Sequence, residues 1–321
     1  MSKTTLLLTT TLFLCAACGD DPTDPDIMLN VTFTNLETLS EGTYEGWVID
    51  QAGIPHSTGT FTLAADGQHT FTSPIDDPQM FVLTVEPPGD TDPAPSDQKL
   101  LGGAIANGAA TLTALGFVSA DPMADFSTSP GTHVLLTPTT TTDDDNDAGI
   151  WLLDPPAPGD APSATVTVPV LNSGWVYEGW VVYAPGTANQ AAFSYGKFTP
   201  GTDGVLSGRD SDAAGPRSGA PGDLSAGPPF PGSDFVALNG SPASMPTIPF
   251  DFNGDDAVTG DSMWMHVISI EPAFDEGEGS LAAVPFQLKP YGDAFGDGGP
   301  TDARIITALN PLATGSVVVV Q

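Results

Sequence analysis

Two carboxylates recur in this chain beside the same neighbours, and a pair of carboxylates is what glycoside hydrolysis needs. Glu45 stands in Tyr44-Glu45-Gly46-Trp47-Val48 and Glu178 in Tyr177-Glu178-Gly179-Trp180-Val181. Glu86 closes Phe81-Val82-Leu83-Thr84-Val85-Glu86-Pro87, and Glu271 closes His266-Val267-Ile268-Ser269-Ile270-Glu271-Pro272. If the strands carrying them lie side by side, Glu45 and Glu86 face each other next to Trp47 as acid and nucleophile. A structural role competes with that reading. Two complete active sites on a duplicated scaffold would be unusual, whereas a carboxylate accepting hydrogen bonds from backbone, or from Tyr44 and Tyr177, recurs with the scaffold. Asp outnumbers Glu 32 to 8, and half of the glutamates occupy these four places, so the longer side chain is kept there for its reach.

Other chemistry is less well provided for. The four histidines, His56, His69, His133 and His266, show no HExxH, no ligand-spaced pair and no Cys partner, so the spacing predicts no zinc or iron site. There is no Gly-x-Ser-x-Gly elbow and no glycine loop leading into a helix to hold phosphate. Clustered oxygens suit a hard cation better. Asp251, Asn253 and Asp255 fall at positions 1, 3 and 5 of a calcium-like loop, which departs by having Asp256 where the EF-hand has Gly and Asp261 at position 11. Ca2+ at Asp251, Asn253, Asp255 and Asp261 is the one cofactor expectation, against a plain acidic surface loop; Asp143 to Asp147 is a second acidic run without a template. Trp47, Trp151, Trp175, Trp180 and Trp264 could build a sugar platform, although aromatics on strands are more often core.

These side chains need strands to hold them. The echo of Tyr44 to Val48 continues through Ser57-Thr58-Gly59-Thr60-Phe61-Thr62 against Ser194-Tyr195-Gly196-Lys197-Phe198-Thr199, in the same order as the glutamate segments, so the chain reads as two copies of one module. Short β-branched or aromatic runs alternate with Gly, Pro, Asp and Asn, Asp66-Gly67 and Asn107-Gly108 sit between runs as hairpin turns, and no segment holds a helical period. The expectation is all-β, two tandem β-sandwich (Ig-like) modules over 29–154 and 165–321, joined by a Pro-rich linker at 155–164. Glu45 to Glu86 spans 41 residues and Glu178 to Glu271 spans 93, so the second module carries a Gly/Pro/Asp-rich insertion at about 200–262. Its final strand is expected at Ser316 to Val320.

The N-terminus and the charge place the protein. Lys3 and the short apolar run to Leu14 form an export signal over 1–17, ending at Cys15-Ala16-Ala17-Cys18-Gly19. This segment resembles a bacterial lipoprotein processing site, which implies cleavage after the small Ala17 and lipidation of Cys18, with Cys15 standing where Leu is usual. Asp and Pro alternate through 18–28 as an extended acidic tether, and Gly19 after the lipidated Cys points to the outer membrane. The net charge of −33 excludes nucleic acid and anionic lipid surfaces as partners, and residues 19–154 hold one basic side chain, Lys99, against 22 acidic ones.

The motifs at 44–48, 57–61 and 81–87, followed by Asp92-Pro93-Ala94-Pro95-Ser96 and Leu100-Leu101-Gly102-Gly103, resemble the extracytoplasmic C-terminal domain of anti-sigma-K factors. The resemblance covers 29–103 well and 165–290 in patches. It implies an extracytoplasmic β-rich module. In that family the domain follows a sigma-binding region and one transmembrane helix; neither is read in this chain, so sigma-factor inhibition is not carried over. The expected function is non-enzymatic: a lipid-anchored envelope protein that binds an envelope protein or glycan, senses, or serves structure. The alternative is a carbohydrate-active protein using the Glu pair.

Overall fold

The structure, a computed structural model, describes residues 27–114, 126–138, 146–155, 157, 160–207, 230–236, 250–254, 263–274, 284–295, 302–309 and 312–320. Apart from one 3-10 turn at Asn146–Ala148, the regular structure there is β. Among the described residues no helix is long and apolar enough to cross a membrane.

The first unit consists of β1 (Met28–Thr34), β2 (Thr43–Ile49), β3 (Pro55–Phe61), β4 (Gln68–Thr72), β5 (Met80–Glu86), β6 (Lys99–Ala104) and β7 (Ala109–Ala114), completed by β18 (Thr314–Val320) from the far end of the chain. The second consists of β8 (Gly131–Leu135), β9 (Gly149–Trp151), β12 (Trp175–Tyr183), β13 (Ala191–Phe198), β14 (Gly232–Asp234), β15 (Trp264–Pro272), β16 (Tyr291–Ala294) and β17 (Arg304–Ala308). Between them in sequence, β10 (Leu153–Asp154) and β11 (Ser163–Ala164) pair as a small ribbon.

The strand orders are β3-β2-β5-β6-β7-β18-β1-β4 and β13-β12-β15-β16-β17-β8-β9-β14. Position by position these are one topology, with the closing strand supplied last along the chain in the first unit (β18) and first in the second (β8). The register repeats too. Tyr44 pairs with Val85 and Phe61, as Tyr177 does with Ile270 and Phe198; Trp47 pairs with Val82 and Ser57, as Trp180 does with Val267 and Ser194. Each order bends round until its ends approach. Phe61 of β3 lies 5.1 Å from Phe71 of β4 between ring centroids, and Phe250 bridges Phe193 of β13 (4.9 Å) to Phe235 beside β14 (5.5 Å). The units are thus nearly closed barrels, which leave little exposed edge.

The all-β, duplicated reading holds, and its partition is corrected. The copies are nested rather than tandem: β8 and β9, inside the expected first module, pair into the second barrel, and β18, expected in the second, lies between β1 and β7 of the first. Gly315 faces Leu112, so the end of β7 and the start of β18 stand one hairpin turn apart, and the second barrel is inserted at that turn. Hairpin tips are where insertions disturb a fold least. The 155–164 segment joins β10 to β11 and is not the boundary between barrels. The insertion at about 200–262 supplies β14, a barrel strand; most of its other residues lie outside the described ones.

Local chemistry accounts for the strands. In β1, Leu29, Val31 and Phe33 are buried and Asn30, Thr32 and Thr34 exposed, the period of two of a half-buried strand. Asn107 and Gly108 both take positive φ, 52° and 76°, as a type I′ hairpin requires. Most of the buried apolar residues form one connected cluster running through both barrels, with two small satellites around Trp151 and Trp180.

Candidate functional site

The repeated motifs are first of all pieces of barrel geometry. Tyr44 and Tyr177 point into the core, stacking on Phe61 and Phe198 at 5.7 and 6.1 Å. Each hydroxyl donates to an upstream carbonyl, Tyr44 Oη to Glu37 O at 2.7 Å and Tyr177 Oη to Pro169 O at 2.8 Å. Burial pushes both phenols up in pKa, so they stay protonated donors. Opposite, the Ser-x-Gly-x-Phe stretch is a β-bulge. Register slips between Gly46 and Trp47 and between Gly179 and Trp180, leaving Thr58 and Tyr195 as the extra residues. Gly59 and Gly196 supply the positive φ (99° and 117°), and their N–H groups donate to Ser57 Oγ and Ser194 Oγ, each at 3.0 Å. The bulged side chain lies over the motif glycine. A Cβ on Gly46 would stand 2.5 Å from Thr58 Oγ1 and 2.9 Å from Phe71 Cε1; one on Gly179 would stand 1.8 Å from Tyr195 Cζ.

On the other face of the same strands a relay repeats. Trp47 Nε1 donates to Thr84 Oγ1 and Trp180 Nε1 to Ser269 Oγ, both at 2.9 Å. Those hydroxyls donate in turn to Glu86 and Glu271 through short hydrogen bonds. Glu86 and Glu271 are 3% and 1% exposed, and each also takes a backbone N–H from the following loop, that of Ser96 (3.2 Å) or Phe286 (2.8 Å). Just beyond each anchored residue a glutamine crosses to the other barrel. Gln98 Nε2 donates to Gly174 O at 2.9 Å, while Gln287 donates to Tyr44 Oη and its Oε1 accepts Glu37 N at 2.6 Å. The relay therefore sets two reciprocal latches between barrels. An aspartate at either position would stop one methylene short of hydroxyl and loop together, which is why the longer acid is kept.

Glu45 lies on the same face, opposite Thr84, and accepts a short hydrogen bond from Ser57. Its carboxyl is held above the usual range by partial burial, against the Ser57 bond, with the Glu86 and Asp90 charges adding to the rise. Glu178 is buried opposite Lys197 in the register. All five tryptophans are buried, so none of them presents a ring to a sugar. Of the calcium loop, Asp251 and Asn253 are described, and Asp255 and Asp261 lie outside the described residues, as do Cys18 and the signal and tether residues up to 26. Asn253 Oδ1 accepts from Arg304 Nη2 at 3.0 Å, its Nδ2 donates to Asp147 at 2.8 Å, and Asp251 Oδ1 accepts Asn253 N at 3.1 Å. An oxygen turned to a guanidinium is not offered to a cation, so the described part of this loop lends the calcium expectation no support.

One cluster was not anticipated from spacing. His133 on β8, His266 on β15 and Asp293 on β16 bring three ligand-type atoms within 4.8 Å of one another inside the second barrel. His266 Nδ1 is 3.1 Å from Asp293 Oδ1 and its Nε2 is 2.8 Å from Tyr195 Oη; His133 Nδ1 is 3.8 Å from Asp293 Oδ2, beyond hydrogen-bond reach. Both histidines are 0% exposed. Burial first, then the neighbouring His266 and Arg304, hold the His133 imidazole well below its usual pKa, so it is neutral; burial raises the Asp293 carboxyl against the lowering influence of His266 and Arg304. The only hint in the sequence was that His266 takes the place of Phe81 in the repeat, a polar residue where the other copy is apolar.

No curated protein and no solved structure matches this chain. A family model does, over residues 26–99, and it reaches from just before β1 to the first residue of β6. The described strands of that stretch carry the first Tyr-Glu-Gly-Trp motif, its bulge and Glu86, and residues 26–99 are similar to the family described as anti-sigma-K factor rskA, C-terminal.

Proposed function

We propose that this chain is a non-enzymatic, lipid-anchored cell-envelope protein, held through Cys18, whose nested barrels act as a binding, sensing or structural element. The observation that carries the reading is the fate of the glutamates. In both copies the carboxylate best placed for chemistry is spent as an acceptor inside the scaffold, where Glu86 and Glu271 each hold a hydroxyl and a loop N–H. Such a group is neither free to take a proton from a substrate nor open to one. The match of residues 26–99 to a domain of anti-sigma-K factors agrees with an envelope setting. Sigma-factor inhibition stays with those proteins. The partner is an envelope protein or glycan met by a strongly anionic surface, which disfavours nucleic acid. The reading is tested by cell fractionation of wild type and Cys18→Ser, followed by crosslinking and pull-down from intact cells. Membrane fractionation lost on Cys18→Ser, with an envelope partner captured, supports it; a soluble wild-type protein, or an intact mass retaining residues 1–17, overturns it.

A further inference from the structure

The two barrels share register, bulge, relay and latch, so a difference between them at equivalent positions is informative. In the first barrel this level holds no ionisable group: Thr58 fills the bulge with its hydroxyl buried, Phe81 pairs with Gly103, and Phe71 and Phe81 pack at 5.5 Å. In the second, the same positions hold Tyr195, His266 and Asp293, and His133 enters from the closing strand. Two of these polar side chains, His266 and His133, stand where the first barrel has the apolar Phe81 and Val317, and Asp293 stands where it has Gly103.

Their satisfaction is incomplete in one place. Neither nitrogen of His133 has a hydrogen-bond partner among the described residues, although the ring is wholly buried between His266 (4.8 Å) and Phe295 (5.3 Å). A buried polar atom without a partner is destabilising, because it gave up its hydrogen bonds to water for nothing in return. A ligand shared with Asp293 and His266 removes that cost at one of the two ring nitrogens.

We propose that His133, His266 and Asp293 form a binding site for one divalent first-row transition ion, with Zn2+ as its probe, inside the second barrel. Ligands about 2.0–2.2 Å from a tetrahedral zinc stand about 3.3–3.6 Å apart; here the imidazoles lie 3.1 Å from Oδ1 and 3.8 Å from Oδ2 of Asp293 and the three ligand atoms lie within 4.8 Å of one another, so a small inward shift of the side chains closes the set on one ion. Two imidazoles and one carboxylate select such an ion over Ca2+ or Mg2+, which prefer oxygen alone. Tyr195 at His266 Nε2 is the outer contact that fixes a ligating imidazole's tautomer and orientation. The nearest cation, Arg304, faces His133 across the strands but sends its terminal nitrogens to Asp302 O (3.2 Å) and Asn253 Oδ1 (3.0 Å). A net charge of −33 favours cation entry overall.

Because the ligands are buried, the ion is loaded during folding. The full chain is unfolded with chelator, refolded with one equivalent of Zn2+ or Co2+ and desalted; bound metal is measured by mass spectrometry and the Co2+ spectrum recorded. We expect one retained ion per chain, a raised thermal midpoint and a Co2+ spectrum of low-coordinate nitrogen and oxygen ligation. Neither Ca2+ nor Mg2+ at matched ionic strength should displace it. Asp293→Asn and His133→Phe, the latter filling the ring's place beside Phe295, should each lose the ion. Tyr195→Phe should weaken binding about 10- to 100-fold, and His56→Gln with His69→Gln should change nothing. No retained ion in the refolded wild type, ready exchange with Ca2+, or full retention in both Asp293→Asn and His133→Phe overturns the proposal. If one of these two variants fails to refold, the other and the wild-type Co2+ spectrum decide.

Discussion

Replacing Glu86 or Glu271 by Ala separates a scaffold carboxylate from a catalytic one. Glu86→Ala strands two donors, the Thr84 hydroxyl and Ser96 N–H. Each buried donor left unmatched costs about 1–3 kcal/mol. The Thr84 hydroxyl has a weaker alternative in Glu45 O at 3.4 Å, and the Ser96 loop can open to water, so the lower half of the range applies: about 2–4 kcal/mol in all. Glu271→Ala should cost at least as much, because Glu271 is the more buried and its Phe286 bond, at 2.8 Å, is the shorter. Gln in either place keeps one acceptor oxygen and loses the charge, for about 1–2 kcal/mol. Against a domain stability of about 5–15 kcal/mol these are large changes, readable as shifts in urea midpoint. Circular dichroism and fluorescence should be recorded together: Trp47 is the one tryptophan on a first-barrel strand, so fluorescence reports mainly on the second. Ala variants within about 0.5 kcal/mol of wild type, the range of an ordinary surface substitution, would refute the relay and reopen the glycan-hydrolysis reading.

Gly179→Ala should destabilise more than Gly46→Ala, since its Cβ meets the rigid Tyr195 ring at 1.8 Å whereas that of Gly46 first meets the small Thr58 hydroxyl at 2.5 Å; equal melting of the two would contradict the bulge packing. Glu45→Gln should stabilise the protein at neutral pH. A carboxyl whose folded pKa is raised contributes most below its unfolded value of about 4.3 and loses that as pH rises through the folded one, so the advantage of Gln should shrink on acidification; a pH-independent difference would count against it. Residues 29–154 expressed alone should melt without cooperativity, lacking β18 and carrying β8 and β9 without their neighbours β17 and β14, while 27–114 joined to 312–321 by a short turn should fold. A sharp transition from 29–154 would restore the tandem partition.

What could be read from the chain was what local geometry writes locally. Tyr-Glu-Gly-Trp and Ser-x-Gly-x-Phe are legible because a bulge needs a positive-φ glycine, a serine to take its N–H and a bare glycine beneath the extra side chain, all within a few residues. The preference for Glu over Asp was legible as a demand for reach. Partnership was not. Ser316 to Val320 reads as a strand, but nothing in five β-prone residues says that it sits between β1 and β7, some 200 residues or more away. For the same reason the Pro-rich stretch looked like a boundary: composition marks a turn without saying which strands it joins. His133 and His266 were not legible as a pair because motif spacing describes ligands on one element, and a barrel interior gathers them from separate strands.

The nested topology is tested most directly by ending the chain after residue 311 and following amide hydrogen exchange strand by strand. Nesting predicts that removing β18 lays open the first barrel: protection at Leu29, Val31 and Leu112, on the strands flanking it, should collapse, while Val181 on β12 and Ile268 on β15 stay protected. Loss of protection in β12 and β15 with β1 and β7 intact would contradict it and put the last strand back in the second module.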